Sequence, residues 1–438
     1  MALGAIDVRC GDAVTDLASA WSGPLVVLGN PPFATPLKAG AVPASAAAMR
    51  SASDDLLGPY ADLGAIHLVN ALAVAAERPG SVVALVQPQS ILAGRDTGGL
   101  RLRCYEERWL VGLWAARQAL FDAGLRPCAP LLRVPDPTAP DRSVAGVDDG
   151  VALYRGPDVT PGPRRPVDGW GPLAADALGA PALPPMGRAT LDTLVGATAG
   201  FRDEHYALAA ACREWPADRP APGDEDDGDG DGDGDGGGCA HARVVTVGAV
   251  DPLVTDWGVT PFRFGGAMRK RPVVDRAALP PKVQRWFDRV RGPKVLLATQ
   301  AKLLEPVVDR TGTMVPATPL IAVTADPADL DRVAAVFLAP PVVLWAWRTW
   351  FGTALSVDAV KPAARQVGAL PLPDDGDTWE RAAALVADAD GLDATEAWDR
   401  ADAVAELMNE AYGASPEVLA WWRGRRKPRP SGHSRPSH

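Results

Sequence analysis

An apolar run that stops at two prolines is the feature of this 438-residue chain that most constrains its fold. Residues 26–33 read Val-Val-Leu-Gly-Asn-Pro-Pro-Phe. Two valines and a leucine in a short apolar run predict a strand. Proline fixes φ, lacks an N–H group and restricts the residue before it, so regular structure cannot continue through Pro31 and Pro32. The sequence therefore predicts a strand that ends in a stiff loop.

This loop offers hydrogen-bond acceptors and an aromatic face to a flat molecule. The side-chain oxygen of Asn30 can accept one N–H of an amine, and the carbonyl of Pro31 can accept a second. Pro32 keeps the loop stiff without adding a competing donor. Phe33 presents a ring on which a base can stack. The pattern suits the exocyclic amine of a nucleobase, although a strand followed by an ordinary Asn-Pro turn has the same sequence.

A second motif precedes the loop. Residues 6–13 read Ile-Asp-Val-Arg-Cys-Gly-Asp-Ala, a strand-like run that ends in Gly11, Asp12 and Ala13. With both motifs in this order and spacing, the chain resembles N6-adenine-specific DNA methyltransferases that depend on AdoMet (S-adenosyl-L-methionine). The resemblance implies that Asp12 hydrogen-bonds the adenine of AdoMet, with Gly11 and Ala13 beside it, and that residues 30–33 hold the target amine.

The elements predicted after the loop extend the resemblance. Apolar spacing predicts a helix over residues 62–77 and a buried strand over residues 81–87, which a Pro-x-x-x-Leu motif follows. Later segments predict a further helix and three strands at residues 100–107, 109–114, 130–134 and 151–154. The resemblance implies an α/β fold for residues 1–184, a partial Rossmann-like class I methyltransferase sheet that forms the C-terminal part of the catalytic domain.

The family's AdoMet-binding glycine loop has no counterpart in this sequence. In the family a Gly-x-Gly loop lies ahead of the Gly-Asp-Ala element, which here follows Met1 by only a few residues. Gly196 and Gly200 come too late and lack a preceding strand. We therefore expect a truncated gene product or one half of a split enzyme, inactive alone, with a separate polypeptide supplying the N-terminal half of the methyltransferase domain.

Residues 185–377 resemble the α+β target-recognition domain of large restriction-modification methyltransferases. The resemblance rests on the order of weak motifs and not on any one of them. It begins with an apolar stretch and a glycine in residues 194–208 and ends in the Leu-Pro-Leu-Pro run at 370–373. Between these lie a strand at 319–323 and helices at 330–338 and 342–351, as predicted from apolar spacing.

Basic residues of this region are the candidate DNA contacts. Lys and Arg neutralise phosphates, and Arg can also read the edge of guanine. The run Arg269, Lys270 and Arg271 is the strongest candidate, and a solvated turn with three charges is its alternative. Three weaker candidates follow from the same logic: Arg202, Lys294 and Lys302.

The acidity of the chain is concentrated in one segment. Of a net charge of −10, eight negative charges fall in residues 224–235, which contain no basic residue. We predict a disordered acidic loop over residues 216–240, so the net charge does not exclude DNA as a partner. The Asp-Gly repeat in this loop lacks the spacing of an EF-hand, and the scattered histidines show no metal-ligand spacing, so no metal is expected.

The C-terminal region divides into a helical and a basic part. Residues 378–422 predict helices with an apolar face that pack on the recognition domain, and a dimerisation helix is the alternative. Residues 423–438 predict a disordered basic tail that adds nonspecific phosphate affinity. Five cysteines without a C-x-x-C pair, in a chain without a signal peptide, indicate reduced thiols in the cytoplasm. The apolar run 333–347 is too short for a membrane span.

These motifs predict a site-specific DNA adenine methyltransferase of a restriction-modification or phage-defence system, with AdoMet as cofactor and double-stranded DNA as partner. Direct transfer to a flipped adenine needs no covalent enzyme intermediate, so no nucleophilic cysteine is expected. A non-catalytic DNA-binding specificity subunit or relic is the first alternative, because the glycine loop is missing. A protein-glutamine or RNA methyltransferase is the second, because these enzymes use similar Asn-Pro-Pro motifs.

Overall fold

The chain forms two compact units. In the computed structural model, unit 1 comprises Met1–Ala180 and Arg348–Val357, and unit 2 comprises Pro181–Trp347 and Asp358–His438. The structure describes residues 23–34, 48, 53, 55–116, 120, 126–138, 150–155, 160–165, 169–200, 202–223, 241–354 and 358–426. The structure is mixed α/β with several sheets, in agreement with the predicted α/β and α+β composition.

A single seven-stranded mixed sheet organises unit 1. Its strands are β1 (Val26–Gly29), β2 (Val82–Leu85), β3 (Gln87–Pro88), β4 (Leu110–Ala115), β5 (Pro127–Arg133), β6 (Val151–Arg155) and β7 (Thr160–Arg165). The order is β1-β2-β5-β4-β6-β7, and β3 pairs with β5. β1 is parallel to β2 and β4 is parallel to β6, whereas β5 is antiparallel to both of its neighbours. The carboxyl ends of β1 and β2 therefore meet at one edge of the sheet.

Three helices accompany this sheet in the described part of unit 1. They are α1 (Leu63–Ala76), α2 (Gly98–Glu106) and α3 (Trp170–Ala177). α1 is buried on most of its circumference, as a helix of mainly apolar residues requires. The segment at 348–357 is joined to α3 by the ion pair between Arg348 and Asp176, whose nitrogen and oxygen atoms lie 2.6 Å apart. Both side chains are largely buried, which favours a defined geometry over a fluctuating surface contact.

Unit 2 contains two four-stranded sheets and two short hairpins among its described residues. Its strands are β8 (Gly196–Ala199), β9 (Arg213–Glu214), β10 (His241–Val245), β11 (Val250–Asp251), β12 (Val254–Thr255), β13 (Phe262–Phe264), β14 (Ala267–Arg269), β15 (Pro272–Asp275), β16 (Lys294–Ala298), β17 (Glu305–Asp309), β18 (Met314–Pro316) and β19 (Ile321–Thr324). The sheets have the orders β18-β10-β15-β9 and β17-β16-β19-β8. The hairpins pair β11 with β12 and β13 with β14.

Eight helices lie wholly or mainly in the described part of unit 2. They are α4 (Arg202–Ala211), α5 (Pro281–Val290), α6 (Leu330–Leu338), α7 (Pro340–Thr349), α8 (Ala364–Val367), α9 (Gly376–Ala387), α10 (Ala394–Ala411) and α11 (Pro416–Arg423). α5 shows how the core is built, because it buries Val283, Trp286, Phe287 and Val290 at helical spacing. These side chains join residues of both four-stranded sheets in one apolar cluster.

The predicted acidic loop and basic tail both begin later than expected. Residues 216–223 are held to the fold, since the indole nitrogen of Trp215 donates to the carbonyl of Pro220 over 2.8 Å. Arg423 and Arg426 both donate to Asp402 on α10, and Arg423 also pairs with Glu406. The prediction of disorder was therefore wrong for residues 216–223 and 423–426, where local partners fix the chain. Residues 224–240 and 427–438 lie outside the described residues.

No single helix in the described part of the chain is long and apolar enough to cross a membrane. Two consecutive segments, Pro327–Leu338 and Pro340–Thr349, reach that length together, but they bend by 65° at the break between them.

Lys294 does not face solvent, so the prediction that it contacts DNA was wrong. Its side chain is 0% exposed and forms an ion pair with Asp309, which is also 0% exposed. Asp309 further accepts from the backbone N–H groups of Thr313 and Met314, at 3.2 and 2.9 Å. Burial lowers the pKa of Lys294, while the adjacent Asp309 carboxylate opposes that change. The pair fastens β16 to β17 and to the turn that follows β17.

Replacing Lys294 by methionine should destabilise unit 2 by about 3–5 kcal/mol, because the carboxylate of Asp309 would remain buried without its counter-ion. Urea denaturation followed by tryptophan fluorescence measures the effect. The exposed Lys302 offers a matched control, and Lys302→Met should change the free energy of unfolding by less than about 0.5 kcal/mol. Equal stability of the two variants would contradict the role given to the ion pair.

Candidate functional site

The loop formed by residues 30–33 leaves the sheet where β1 ends. The backbone N–H of Val86 donates to the carbonyl of Gly29 over 2.9 Å, so the ends of β1 and β2 remain side by side up to the loop. Asn30 and Pro32 are exposed, whereas Pro31 and Phe33 are half-buried. The amide of Asn30 is thus accessible at the carboxyl end of β1, and Phe33 is partly buried.

The first turn of α1 anchors the end of this loop. The N–H of Leu63 donates to the carbonyl of Ala34 over 2.9 Å. The carboxylate of Asp62, the N-cap residue, accepts from the N–H of Gly64 over 2.8 Å and also from the backbone of Ala34. Burial raises the pKa of Asp62, and the two backbone hydrogen bonds oppose this rise. The loop is therefore held at its far end by two hydrogen bonds of the Ala34 backbone, one with the Leu63 N–H and one with the Asp62 carboxylate.

Gly64 leaves room for the side chains of Phe33 and Gln87. A Cβ atom at Gly64 would lie 3.3 Å from Cδ1 of Phe33 and 3.4 Å from Oε1 of Gln87. A larger residue would push these side chains away, which explains a glycine inside the first turn of a helix. The ring of Phe33 and the carboxamide of Gln87 consequently border the same small space beside the loop.

Two buried glutamines lie on either side of Pro88. The Nε2 group of Gln87 donates to the carbonyl of Gly64 over 3.0 Å, and that of Gln89 donates to the carbonyl of Ala116 over 3.4 Å. Among the residues that the structure describes, the Oε1 atom of neither glutamine has a hydrogen-bond partner. Buried acceptors of this kind are uncommon and costly. Neither residue was predicted from the sequence, although a polar residue on either side of Pro88 at the end of a buried strand was a usable signal.

The residues predicted to contact AdoMet lie outside the described residues. Gly11, Asp12 and Ala13 all precede residue 23. Their assignment therefore stays a prediction from the sequence. Within the described residues, no cluster of three or more His, Cys, Asp or Glu side chains has the geometry of a metal site.

The basic run at 269–271 divides into three different environments. Arg269 is half-buried at the end of β14, and its buried Nε atom has no hydrogen-bond partner in the part of the chain that the structure describes. Lys270 is exposed. Arg271 donates to the carbonyls of Pro216 and Arg219, at 2.6 and 2.8 Å. The side chain of Arg271 thus fastens a loop of the protein, and we retain only Arg269 and Lys270 from this run as proposed DNA contacts.

Two weaker candidates for DNA contact, Lys302 and Arg202, stay predictions. Lys302 is exposed, and its backbone carbonyl accepts from Arg425 over 3.2 Å. Arg202 begins α4, but its side chain is outside the described part. Among the contacts that the structure describes, none joins Lys302 or Arg202 to Lys270.

Comparisons with solved structures show what this fold resembles. The chain is similar to the type IIL restriction-modification enzyme MmeI, solved in complex with DNA, with a TM-score of 0.53 at 10% identity. The likeness covers 92% of this chain and 56% of MmeI, so the chain spans little more than half the length of that protein. At this identity the comparison shows a shared fold.

Two further matches have lower scores. The type IIG restriction endonuclease BpuSI matches with a TM-score of 0.30 at 10% identity, over 93% of this chain and 56% of that one. The type ISP restriction-modification enzyme LlaBIII, solved bound to DNA, matches with a TM-score of 0.35 at 9% identity, over 83% and 30% of the two chains. No protein-family model matches the sequence. A comparison with curated proteins also finds no match.

Asp62→Ala should lower the stability of unit 1 by about 1 kcal/mol, because it removes the N-cap acceptor. It should also loosen the loop, since Ala34 loses one of its two contacts with α1. Amide hydrogen exchange at Ala34 and Gly64 measures that loosening directly. Asp62→Asn keeps a side-chain oxygen acceptor and is the matched control. If both variants exchange at the rate of the unsubstituted protein, Asp62 does not hold the loop.

Proposed function

We propose that this protein acts in site-specific N6-methylation of adenine in DNA, within a restriction-modification or phage-defence system. The observation that carries the proposal is the position of Asn30-Pro31-Pro32-Phe33 at the carboxyl end of β1, with the Asn30 amide exposed and the loop anchored on α1. The shared fold with MmeI, a restriction-modification enzyme solved in complex with DNA, supports the same context.

The two units have different roles in the proposed function. Unit 1 would be the carboxyl part of a Rossmann-like class I methyltransferase domain, and unit 2 would be the target-recognition domain. We place the boundary between these two domains between residues 184 and 185. The helices α9, α10 and α11 belong to unit 2.

In the proposed mechanism the loop acts on a base that has left the duplex, at a cost of roughly a few kcal/mol. The Oδ1 atom of Asn30 and the carbonyl of Pro31 accept the two N–H groups of the amine. This directs the nitrogen lone pair away from the ring and toward the incoming methyl group. Phe33 supports the face of the base, and the stiffness of Pro31 and Pro32 keeps the acceptors in place. Catalysis then comes from positioning and electrostatics.

The proposed cofactor is AdoMet, which supplies the methyl group when it is bound. Gly11, Asp12 and Ala13 are the residues assigned to it by the resemblance. We propose that a separate polypeptide takes part in completing the cofactor pocket.

Two alternatives belong to different functional classes. A non-catalytic DNA-binding specificity subunit would use unit 2 alone and would need no acceptor loop. A methyltransferase that acts on protein glutamine or RNA would use the loop but would gain nothing from a large DNA-recognition unit. The exposed Asn30 argues against the first, and the length of unit 2 argues against the second.

Labelled AdoMet and unmethylated duplex DNA test the proposal. The chain is assayed alone and together with the polypeptide encoded immediately beside it, and the DNA is digested to nucleosides. Label in N6-methyldeoxyadenosine supports the proposal. Label in protein or RNA only would favour the second alternative. DNA binding without any methyl transfer in either preparation would favour the first.

Asn30→Ala should lower the rate of methyl transfer at least about 100-fold, because the amine loses one of its two positioned acceptors. The exposure of Asn30 predicts that the free energy of unfolding changes by less than about 0.5 kcal/mol. Both quantities are measured on the preparation that is active with the unsubstituted chain. Full activity of Asn30→Ala in that preparation would exclude the mechanism given above.

Lys270→Ala should weaken binding to all duplexes alike and should reduce the slope of log K against log salt by about 1. The physical reason is that an exposed lysine neutralises one phosphate and releases its counter-ion. Fluorescence anisotropy over a salt series measures the slope. Lys361 is also exposed, and Lys361→Ala provides the control, for which no change of slope is expected. The same slope for both variants would remove Lys270 from the proposed contacts.

A further inference from the structure

A two-stranded ribbon on unit 2 displays side chains that the basic run does not include. β13 and β14 pair antiparallel and are joined by Gly265 and Gly266, which have φ angles of +59° and +81°. Two central residues with positive φ form the tight turn whose twist matches that of the paired strands. A Cβ atom at Gly265 would lie 3.3 Å from the carbonyl oxygen of Ala209 on α4, so the turn rests closely on the fold.

Strand pairing assigns each side chain to one face of the ribbon. Phe262 pairs with Arg269, and Phe264 pairs with Ala267. Because directly paired residues share a face, Arg269 lies on the inner side with the two buried phenylalanines. Arg263 pairs with Met268 on the outer face. This explains why Arg269 is half-buried and why Arg263, which the sequence analysis overlooked, is exposed.

The outer pair is accessible and chemically unusual for a surface. Met268 is 65% exposed, and Arg263 is exposed beside it. The Arg263 side chain makes no hydrogen bond or ion pair with any residue that the structure describes. On the inner face of the ribbon, Phe262 and Phe264 belong to the apolar core. The rings of Phe264 and His205 pack edge to face, with their centroids 5.8 Å apart. The ribbon therefore presents a free guanidinium and an exposed thioether on a rigid base.

We infer that this outer face enters the major groove of DNA and that Arg263 and Met268 read bases. The inference rests on the proposed function and names side chains that would determine its specificity. Three-residue strands are about 10 Å long, and a two-stranded ribbon fits the major groove, which is about 12 Å wide. Lys270 continues the ribbon with a positive charge that suits the flanking phosphates.

The chemistry of the pair points to bases and not to phosphates. A guanidinium can donate two hydrogen bonds to O6 and N7 of guanine. An exposed methionine has nothing to offer a phosphate, whereas it can pack on the methyl group of thymine. Directly paired side chains lie about 5 Å apart, so Arg263 and Met268 should read base pairs that are adjacent or one step apart.

The test begins with a pool of duplexes of randomised sequence, from which the unsubstituted chain selects its preferred site. Affinities for that site and for an unrelated duplex are then compared. Arg263→Ala should bind the selected site about 5- to 150-fold more weakly, with little change for the unrelated duplex. A new selection with this variant should lose the preference at one base pair. Met268→Ala should lose the preference at a neighbouring base pair.

Arg381→Ala is the matched control, because Arg381 is exposed on α9, and its selected sequence should not change. Thermal unfolding verifies that each variant is folded. If Arg263→Ala weakens binding to every duplex alike and reduces the salt slope by about 1, Arg263 contacts a phosphate and the inference is wrong. An unchanged selected sequence for both ribbon variants also overturns it. A chain that binds no duplex at all would overturn the proposed function as well.

Discussion

The contact between Ala34 and the start of α1 is the interaction on which the candidate site depends. Asn30 is useful as an acceptor only if its loop keeps one position, and Pro31 and Pro32 have no backbone N–H to donate within the loop. Asp62 holds it from outside through its carboxylate, and Leu63 does so through a backbone N–H that a helix start leaves unpaired. The helix terminus and the loop therefore satisfy each other's hydrogen-bonding groups.

Unit 2 also holds exposed side chains in a fixed position, and it does so with the two-stranded ribbon of β13 and β14. A short ribbon would fluctuate alone, since an isolated hairpin is marginally stable in water. Here its inner face is inserted in the apolar core through Phe262 and Phe264, and its turn rests on α4. The outer face is then free to carry polar and flexible side chains without loss of order. A ribbon that reads bases in a groove requires such a rigid inner face and an outer face whose side chains can vary.

Local pattern predicted many of the elements well. The helix expected at 62–77 is Leu63–Ala76, and the helix expected at 330–338 is Leu330–Leu338. Both follow from apolar periodicity, which burial enforces directly. Whether a charged side chain faces solvent or the core was harder to predict. Lys294 was expected at the surface, yet Asp309 lies fifteen positions later and nothing in the sequence marks the two as partners.

The sequence by itself determined where many of the strands and helices lie, and it marked residues 30–33 as a stiff loop, because proline geometry and hydrophobic spacing act locally. Tertiary structure decided which side chains are available. Strand register turned Arg269 inward and Arg263 outward, the ion pair with Asp309 buried Lys294, and the approach of α1 brought Gln87 beside Phe33. Each of these depends on residues distant in the chain, and local propensity carries no information about such pairings.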